Sequence, residues 1–394
     1  MGGNCHVVCV CCGQGFPNGM AQTSRIRMIG RALVAQGCRF TVFNIGGGLC
    51  FNPASRGCVD GIGFEYMPGP TMRPDNALKR KWIYAEGLLQ ASSRLYALRK
   101  KESNLCVYSK FSGGRFAMFY RYLHAIGYPV AQEVNEWWPG TGERSRRDRE
   151  LRTSQGAVAI SRPIIARLRN LPSYNREYRI LHVPILIDTD EWAPSEALFQ
   201  EARPGNIPYV LWCGNMDCAD EDIQFLLQVA KAVNDAETCR LMLVGRCSPV
   251  MRDQICGLTK KFGFREDLLD FPGYVSDNEL NRLMSGATAL LLPLWETERS
   301  MCRFPTKLGH YLASGTPVVT TAQGDLTLYL KDGNSACMVS PGDVAAFAGK
   351  VIFLLQNAAQ AKSIGMAGRS IAKQHFSIDA HKVKLARFFS EMAK

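Results

Sequence analysis

The chain has 394 residues, 46% hydrophobic and 21% charged, with 47 Lys and Arg against 35 Asp and Glu and a formal net charge of +12. This length suits two domains of about 150–200 residues each, and the composition is that of a globular protein with ample core. It excludes a membrane-spanning bundle, because no stretch approaches the roughly 18 uninterrupted apolar residues of a span.

The first residues show no charged and apolar blocks of a signal peptide, and Met1-Gly2-Gly3-Asn4-Cys5-His6 lacks the Ser or Thr of a myristoylation motif. With no such signal, 15 cysteines point to a reducing, cytoplasmic setting. His6 to Cys12 reads as a strand rich in β-branched residues and cysteine. There Cys9, Cys11 and Cys12 act as small hydrophobes, since no ligand pairs at zinc spacing accompany them. The loop Gly13-Gln14-Gly15-Phe16-Pro17-Asn18-Gly19 follows, then a helix from about Ala21 to Gln36 ended by Gly37, then a strand from Phe40 to Asn44. A helical stretch from Leu78 to Lys101 carries Lys79, Arg80, Lys81, Trp82, Tyr84, Arg99, Lys100 and Lys101. Short strands are expected at 105–109, 130–134, 157–160 and 180–183, with helices between most of them.

Pro184 to Pro194 reads as a hinge. A second series of the same kind begins with a strand from Tyr209 to Cys213 and a helix from Asp222 to Asn234. It continues with a strand at 240–244, a helix at 250–262, a short strand after Asp270, a helix at 278–285 and a strand at 289–292. Strand alternating with helix argues parallel sheets covered on both faces. The architecture expected is α/β: two facing Rossmann-like, doubly wound domains, at 1–187 and 188–377, with a cleft between them.

The charge is divided unevenly. Residues 1–200 hold 26 Lys and Arg against 15 Asp and Glu, a balance of +11, which leaves 21 against 20 for the remainder. A basic half suits an anionic surface, and the stretch from Leu78 to Lys101 is expected to help dock the chain on anionic phospholipid. A solvated basic helix is the plainer alternative.

The most informative stretch runs from Arg303 to Val319. Arg303, Pro305 and Thr306 lead into an amphipathic helix that stops at Gly315, and Pro317 opens an apolar strand. An anion at the start of that helix meets free N–H groups, the helix dipole and the side chains of Arg303 and Lys307.

This stretch closely resembles the donor-phosphate helix of GT-B glycosyltransferases, especially glycosyltransferase family 4. Other blocks fall in the family's order: Pro17-Asn18-Gly19 into Ser24-Arg25-Ile26-Arg27, Ala157 to Ser161, Val183 to Asp190, Leu243-Val244-Gly245, and Phe271-Pro272-Gly273-Tyr274-Val275. The resemblance runs from about residue 7 to 390 and is weakest between 45 and 105. It implies that the final helix, Ile378 to Met392 within 378–394, packs back on the first domain. It also implies a retaining transfer of sugar from a nucleotide-diphospho-sugar to a glycan or lipid-linked acceptor, in cell-surface polysaccharide or glycolipid synthesis. The enzyme would then work in the cytoplasm, at the inner face of the membrane.

Departures from the family bear on the site. The two glutamates that commonly flank the phosphate turn fall here at Cys302 and His310, and Glu296 and Glu298 stand at the wrong offset. The usual Arg and Lys after the first strand of the second domain are replaced by Gly214-Asn215-Met216-Asp217, with Asp220 beyond. The family's His after the fifth strand gives way to Asn135 or Glu136.

Leaving-group charge is therefore assigned to Lys307 and Arg303, assisted by Arg299. Glu136 is the candidate base or sugar-orienting group, and Trp137 and Trp138 a candidate stacking platform. Donor contacts are expected from Gly15, Asn18, Gly19, Asn215, Gly245, Tyr274, Arg299, Thr306 and His310. Asp188-Thr189-Asp190 looks like an Asp-x-Asp metal site but lies in the hinge, so neither metal nor cofactor is expected, and nucleic acid is not an expected partner. Two alternatives stay open: a catalytically silent GT-B protein that binds nucleotide or glycan, and a GT-B-fold nucleotide-sugar epimerase.

Overall fold

The structure, a computed structural model, describes residues 5–48, 50–110, 116–194 and 207–394. They divide into two compact units. The first comprises Met1–Leu186, Cys302–Phe304 and Ile378–Lys394; the second comprises Ile187–Met301 and Pro305–Ser377.

The first unit is built on β1 (His6–Cys12), β2 (Arg39–Ile45), β3 (Arg56–Val59), β4 (Ile62–Met67), β5 (Leu105–Ser109), β6 (Val130–Val134), β7 (Gly156–Ala159) and β8 (Arg179–His182). These form one sheet in the order β3-β4-β2-β1-β5-β6-β7-β8, parallel throughout except for the β3–β4 hairpin. That hairpin lies between Asn44 and Leu78, where no element is expected from the sequence. Its turn places Asp60 and Gly61 at positive φ, and its edge strand β3 is exposed and carries neither an apolar run nor alternation, although Ile62, Phe64 and Tyr66 of β4 do alternate with Gly63 and Glu65. Alternate residues of β1 face opposite layers. Val7, Cys9 and Cys11 pack with α1 (Ala21–Val34) and the helix Ile378–Met392, whereas Val8 and Val10 pack with α2 (Ala77–Arg99) and α3 (Ala117–Ala125). Burial raises the Cys9 thiol well above its ordinary pKa and carries Cys11 to about 12, as fits packed thiols. Leu385, Phe388, Phe389 and Met392 of the C-terminal helix complete this core.

α2 is apolar on two opposite sides. Ile83, Gly87, Ala91 and Leu95 are buried, and Gly87 is needed there because a Cβ would stand 2.4 Å from the Met67 carbonyl. On the other side Leu78, Trp82 and Leu89 are 68–75% exposed, with Tyr96 in the same row. Among the described residues, no single helix is long and apolar enough to cross a membrane.

The second unit holds six parallel strands in the order β11-β10-β9-β12-β13-β14. These are β9 (Tyr209–Cys213), β10 (Arg240–Val244), β11 (Leu269–Gly273), β12 (Ala289–Leu292), β13 (Val318–Thr321) and β14 (Cys337–Val339). The order reverses between β9 and β12, so the chain departs in opposite directions from their carboxyl ends and leaves a crevice there.

Candidate donor site of the second unit and loops of the first

At the carboxyl end of β9 the chain turns through Gly214. Its N–H bonds to the Val244 carbonyl at 2.9 Å, and the Gly245 N–H bonds to the Gly273 carbonyl at 2.8 Å, so the loops after β9, β10 and β11 are stitched by backbone. Both glycines are required. A Cβ on Gly245, already at φ +127°, would lie 2.1 Å from the Gly214 carbonyl oxygen. One on Gly214 would lie 2.6 Å from the Trp212 ring and 3.2 Å from Lys307 Nζ. The Lys307 ammonium stands over the Trp212 ring, 4.0 Å from its centroid. Tyr311, fully buried one turn further on, accepts the Cys213 N–H at 2.8 Å and ties the helix Lys307–Ala313 to the end of β9.

This helix is shorter than the sequence suggested. It has seven residues, and the Thr306 hydroxyl makes no capping bond because Thr306 is already in the right-handed helical conformation. Its end is as expected: Gly315 adopts φ +74° and its N–H bonds to the Leu312 carbonyl. Arg303 lies outside the helix. It is exposed within Cys302–Phe304, which clusters with the first unit, where Ser161 donates to the Cys302 carbonyl and Cys302 and Phe304 are buried. The structure therefore gives Lys307 its place through the Trp212 face and the two glycine turns.

The other expected donor contacts are spread over the second unit. Asn215 accepts the Asp217 N–H at 3.3 Å and caps the short turn Met216–Cys218. Tyr274 is 88% exposed just beyond β11. Arg299 is half-buried on the helix Glu298–Cys302. His310 packs edge-on to Trp192 with centroids 4.4 Å apart, and burial lowers its pKa to about 4, so it is neutral at pH 7. The hinge carboxylate Asp188 accepts the N–H groups of Asp190 and Glu191, closing a local turn. Among the described residues no group of three or more His, Cys, Asp or Glu is arranged to hold a metal ion.

In the first unit the loop after β1 is held from the 45–105 region. Asn52 accepts the Asn18 N–H at 2.9 Å and donates to the Asn18 carbonyl, while the Tyr66 hydroxyl accepts the Phe16 N–H. Gly13 and Gly15 have positive φ, and a Cβ on Gly19 would lie 2.0 Å from Thr23 Oγ1. Gly15 is buried, whereas Asn18 and Gly19 are exposed. Arg25, from the expected loop-and-helix block, is structural: it donates to Glu133 at 2.6 Å and to the Val183 and Pro184 carbonyls, with both side chains buried.

Glu136 is half-buried on the loop after β6. Its carbonyl accepts from Arg147 at 2.9 Å, and Arg147 is fixed in turn by Glu143 and Glu150 on α4 (Thr141–Leu151). The expected tryptophan platform is only half present. Trp137 is 6% exposed and packed under Arg167, and Trp138 alone is open, because the chain turns between them into α4.

Trp212, Tyr311 and Lys110 were not expected at a site. Lys110 follows β5, beside the end of β1, where the first sheet reverses its order. Its ammonium donates to the Gln22 carbonyl at 3.3 Å, and burial, with Arg25 nearby, lowers its pKa to about 7. Only its position just past an apolar strand could have flagged it.

Two doubly wound parallel units of this kind define the GT-B fold, and solved structures agree. A sucrose-phosphate synthase from Thermosynechococcus elongatus superposes with a TM-score of 0.74 at 17% identity over 99% of each chain. A glycosyltransferase from Rickettsia africae gives 0.72 at 14% identity over 100% of this chain and 99% of that one. HepE from Anabaena, solved with UDP and glucose, gives 0.72 at 12% identity over 98% and 99%. No curated protein sequence matches the chain. Residues 207–357 match the family model for glycosyl transferases group 1. That match lies within the second unit, and the fold of the whole chain is GT-B.

Proposed function

We propose that the chain moves a sugar from a nucleotide-diphospho-sugar to a glycan or lipid-linked acceptor, with retention of configuration, in building cell-surface polysaccharide or glycolipid. The observation that carries this reading is the Lys307 ammonium held beside the Gly214 and Gly245 turns at the crevice between β9 and β12. Departure of a nucleoside diphosphate develops negative charge on its phosphates, and a fixed cation beside backbone turns stabilises it. HepE, of the same fold, has been solved with UDP-glucose. On the first unit, Glu136 is assigned the role of base on the acceptor hydroxyl or of orienting the sugar.

A panel of UDP, GDP, ADP and their sugars, read by thermal shift on wild type and Lys307→Ala, tests the donor reading. A ligand bound to the native state raises its melting temperature. Stabilisation by one nucleotide family, lost in the variant, is the expected result; none with any nucleotide would overturn it. The silent-binding alternative draws on His310, which stands at the family's second glutamate position and is packed against Trp192. Nucleotide binding without turnover of any donor would favour that alternative.

The membrane reading draws on α2. Its exposed row of Leu78, Trp82, Leu89 and Tyr96 lies on a helix with five Lys and Arg and a single acid, Glu86. An apolar row set among cations fits an anionic bilayer surface. Binding to phosphatidylglycerol vesicles that falls in Trp82→Ser supports it; equally weak binding to neutral and anionic vesicles would sink it.

A further inference from the structure

We propose that Cys5 and Cys38 form a redox-active dithiol, which hydrogen peroxide oxidises to a disulfide that clasps the amino end of β1 to that of β2. The parallel register of these strands pairs His6 with Arg39, and the Arg39 N–H bonds to the Cys5 carbonyl at 3.0 Å. Cys5 and Cys38 precede that pair, and their sulfurs are hydrogen-bonded at 3.2 Å. Neighbouring strands run about 4.8 Å apart, within the Cα separation that a disulfide spans. Closing the bridge therefore asks for little movement of the backbone.

The thiols of this core are not alike. Cys9, Cys11 and Cys106 are 0% exposed, and burial raises the pKa of each. Cys5 and Cys38 lie at the amino ends of their strands, 3% and 4% exposed, where a molecule little larger than water can reach them. The bond between them lowers the Cys5 pKa to about 6 and raises that of Cys38. Ser390 of the C-terminal helix bonds to both sulfurs and favours the thiolate. Cys5 is thus the nucleophile of the pair and Cys38 the thiol that resolves it.

The chemistry balances. The Cys5 thiolate attacks one peroxide oxygen, the O–O bond breaks, and the departing hydroxide takes a proton from solvent to become water. Cys5 is left as a sulfenic acid. The Cys38 sulfur then attacks the Cys5 sulfur and the S–O bond breaks. The departing hydroxide takes the Cys38 proton and becomes the second water. Two thiols and one peroxide give one disulfide and two waters, with two electrons passing from sulfur to oxygen.

The test is hydrogen peroxide treatment of the folded protein, acid quenching, alkylation of the remaining thiols and peptide mass spectrometry. Wild type and Cys106→Ser should yield a linked Cys5–Cys38 peptide that dithiothreitol separates again. Cys38→Ser should stop at a dimedone-reactive sulfenic acid on Cys5, and Cys5→Ser should leave Cys38 fully alkylated. The bridge closes a loop between residues 33 apart and restrains the unfolded chain, so the oxidised protein should melt at a higher temperature than the reduced one. Cys5 and Cys38 both alkylated in full after peroxide, a Cys5–Cys106 bridge in their place, or equal melting temperatures for the two forms would overturn the proposal. The wild-type peptide map needs no substitution, so a variant that fails to fold leaves the test standing.

Discussion

Each of the two units seats a cation near the ends of its central strands, and the contacts that hold the two differ. In the first, Arg25 is bonded to Glu133 and two carbonyls, and its charge is used up within the fold. In the second, the Lys307 ammonium lies over the Trp212 ring, 4.0 Å from its centroid. One cation is bonded to a carboxylate and two carbonyls, and the other is set against an aromatic face. The same division runs through composition: the first half of the chain is strongly basic, while the half that matches the family model is nearly neutral.

The largest expected effect breaks the lock. Arg25→Met leaves the Glu133 carboxylate buried without its cation and should destabilise the protein by about 3–5 kcal/mol in urea denaturation. Burial already raises the Glu133 pKa. Removing Arg25 raises it further above the unfolded value, so part of the loss should return on acidification. Adding Glu133→Gln should restore much of it. If Arg25→Met unfolds at the wild-type urea midpoint, the contrast between the two cations fails.

Next comes Lys307. Lys307→Met should lower turnover of the preferred donor by about 10²–10³, the scale of one transition-state electrostatic partner, while the melting temperature stays near wild type. A large fall in melting temperature would make Lys307 a lock like Arg25.

Lys110 sharpens the comparison, being a cation of the first unit whose pKa is lowered to about 7, chiefly by burial. Between that value and the ordinary lysine range the unfolded chain binds the extra proton, so stability should rise as pH goes from about 7 towards 10. Lys110→Met should flatten that rise in denaturation series at pH 7, 8 and 9. An unchanged slope would mean that Lys110 is charged and solvated.

The smallest effect concerns His310, whose depressed pKa makes its imidazole neutral well below pH 6.5. Its stabilising effect should fade only as pH falls from the ordinary histidine range towards about 4. NMR titration should find the ring unprotonated at pH 5.5; a midpoint near 6.5 would release it from its packing on Trp192.

Sequence by itself determined the alternation of strand and helix, because buried parallel strands must be continuous apolar runs and the helices covering them must be amphipathic. It therefore placed β1, β5, β6, β9, β10 and β12 within a residue, and the left-handed Gly315 after its helix. Only the tertiary structure decided what those cations touch. Trp212 reads as one more apolar residue of a strand until Gly214 opens its face to Lys307. Trp137 and Trp138 read alike until one is buried. Arg303 reads as part of the helix start until the helix is seen to begin at Lys307. The Asn52 and Tyr66 bonds that fix the first loop join residues 34 and 50 apart in sequence. Periodicity reports which face of an element is buried; the partner that meets that face is set by long-range packing, which leaves no local pattern in the chain.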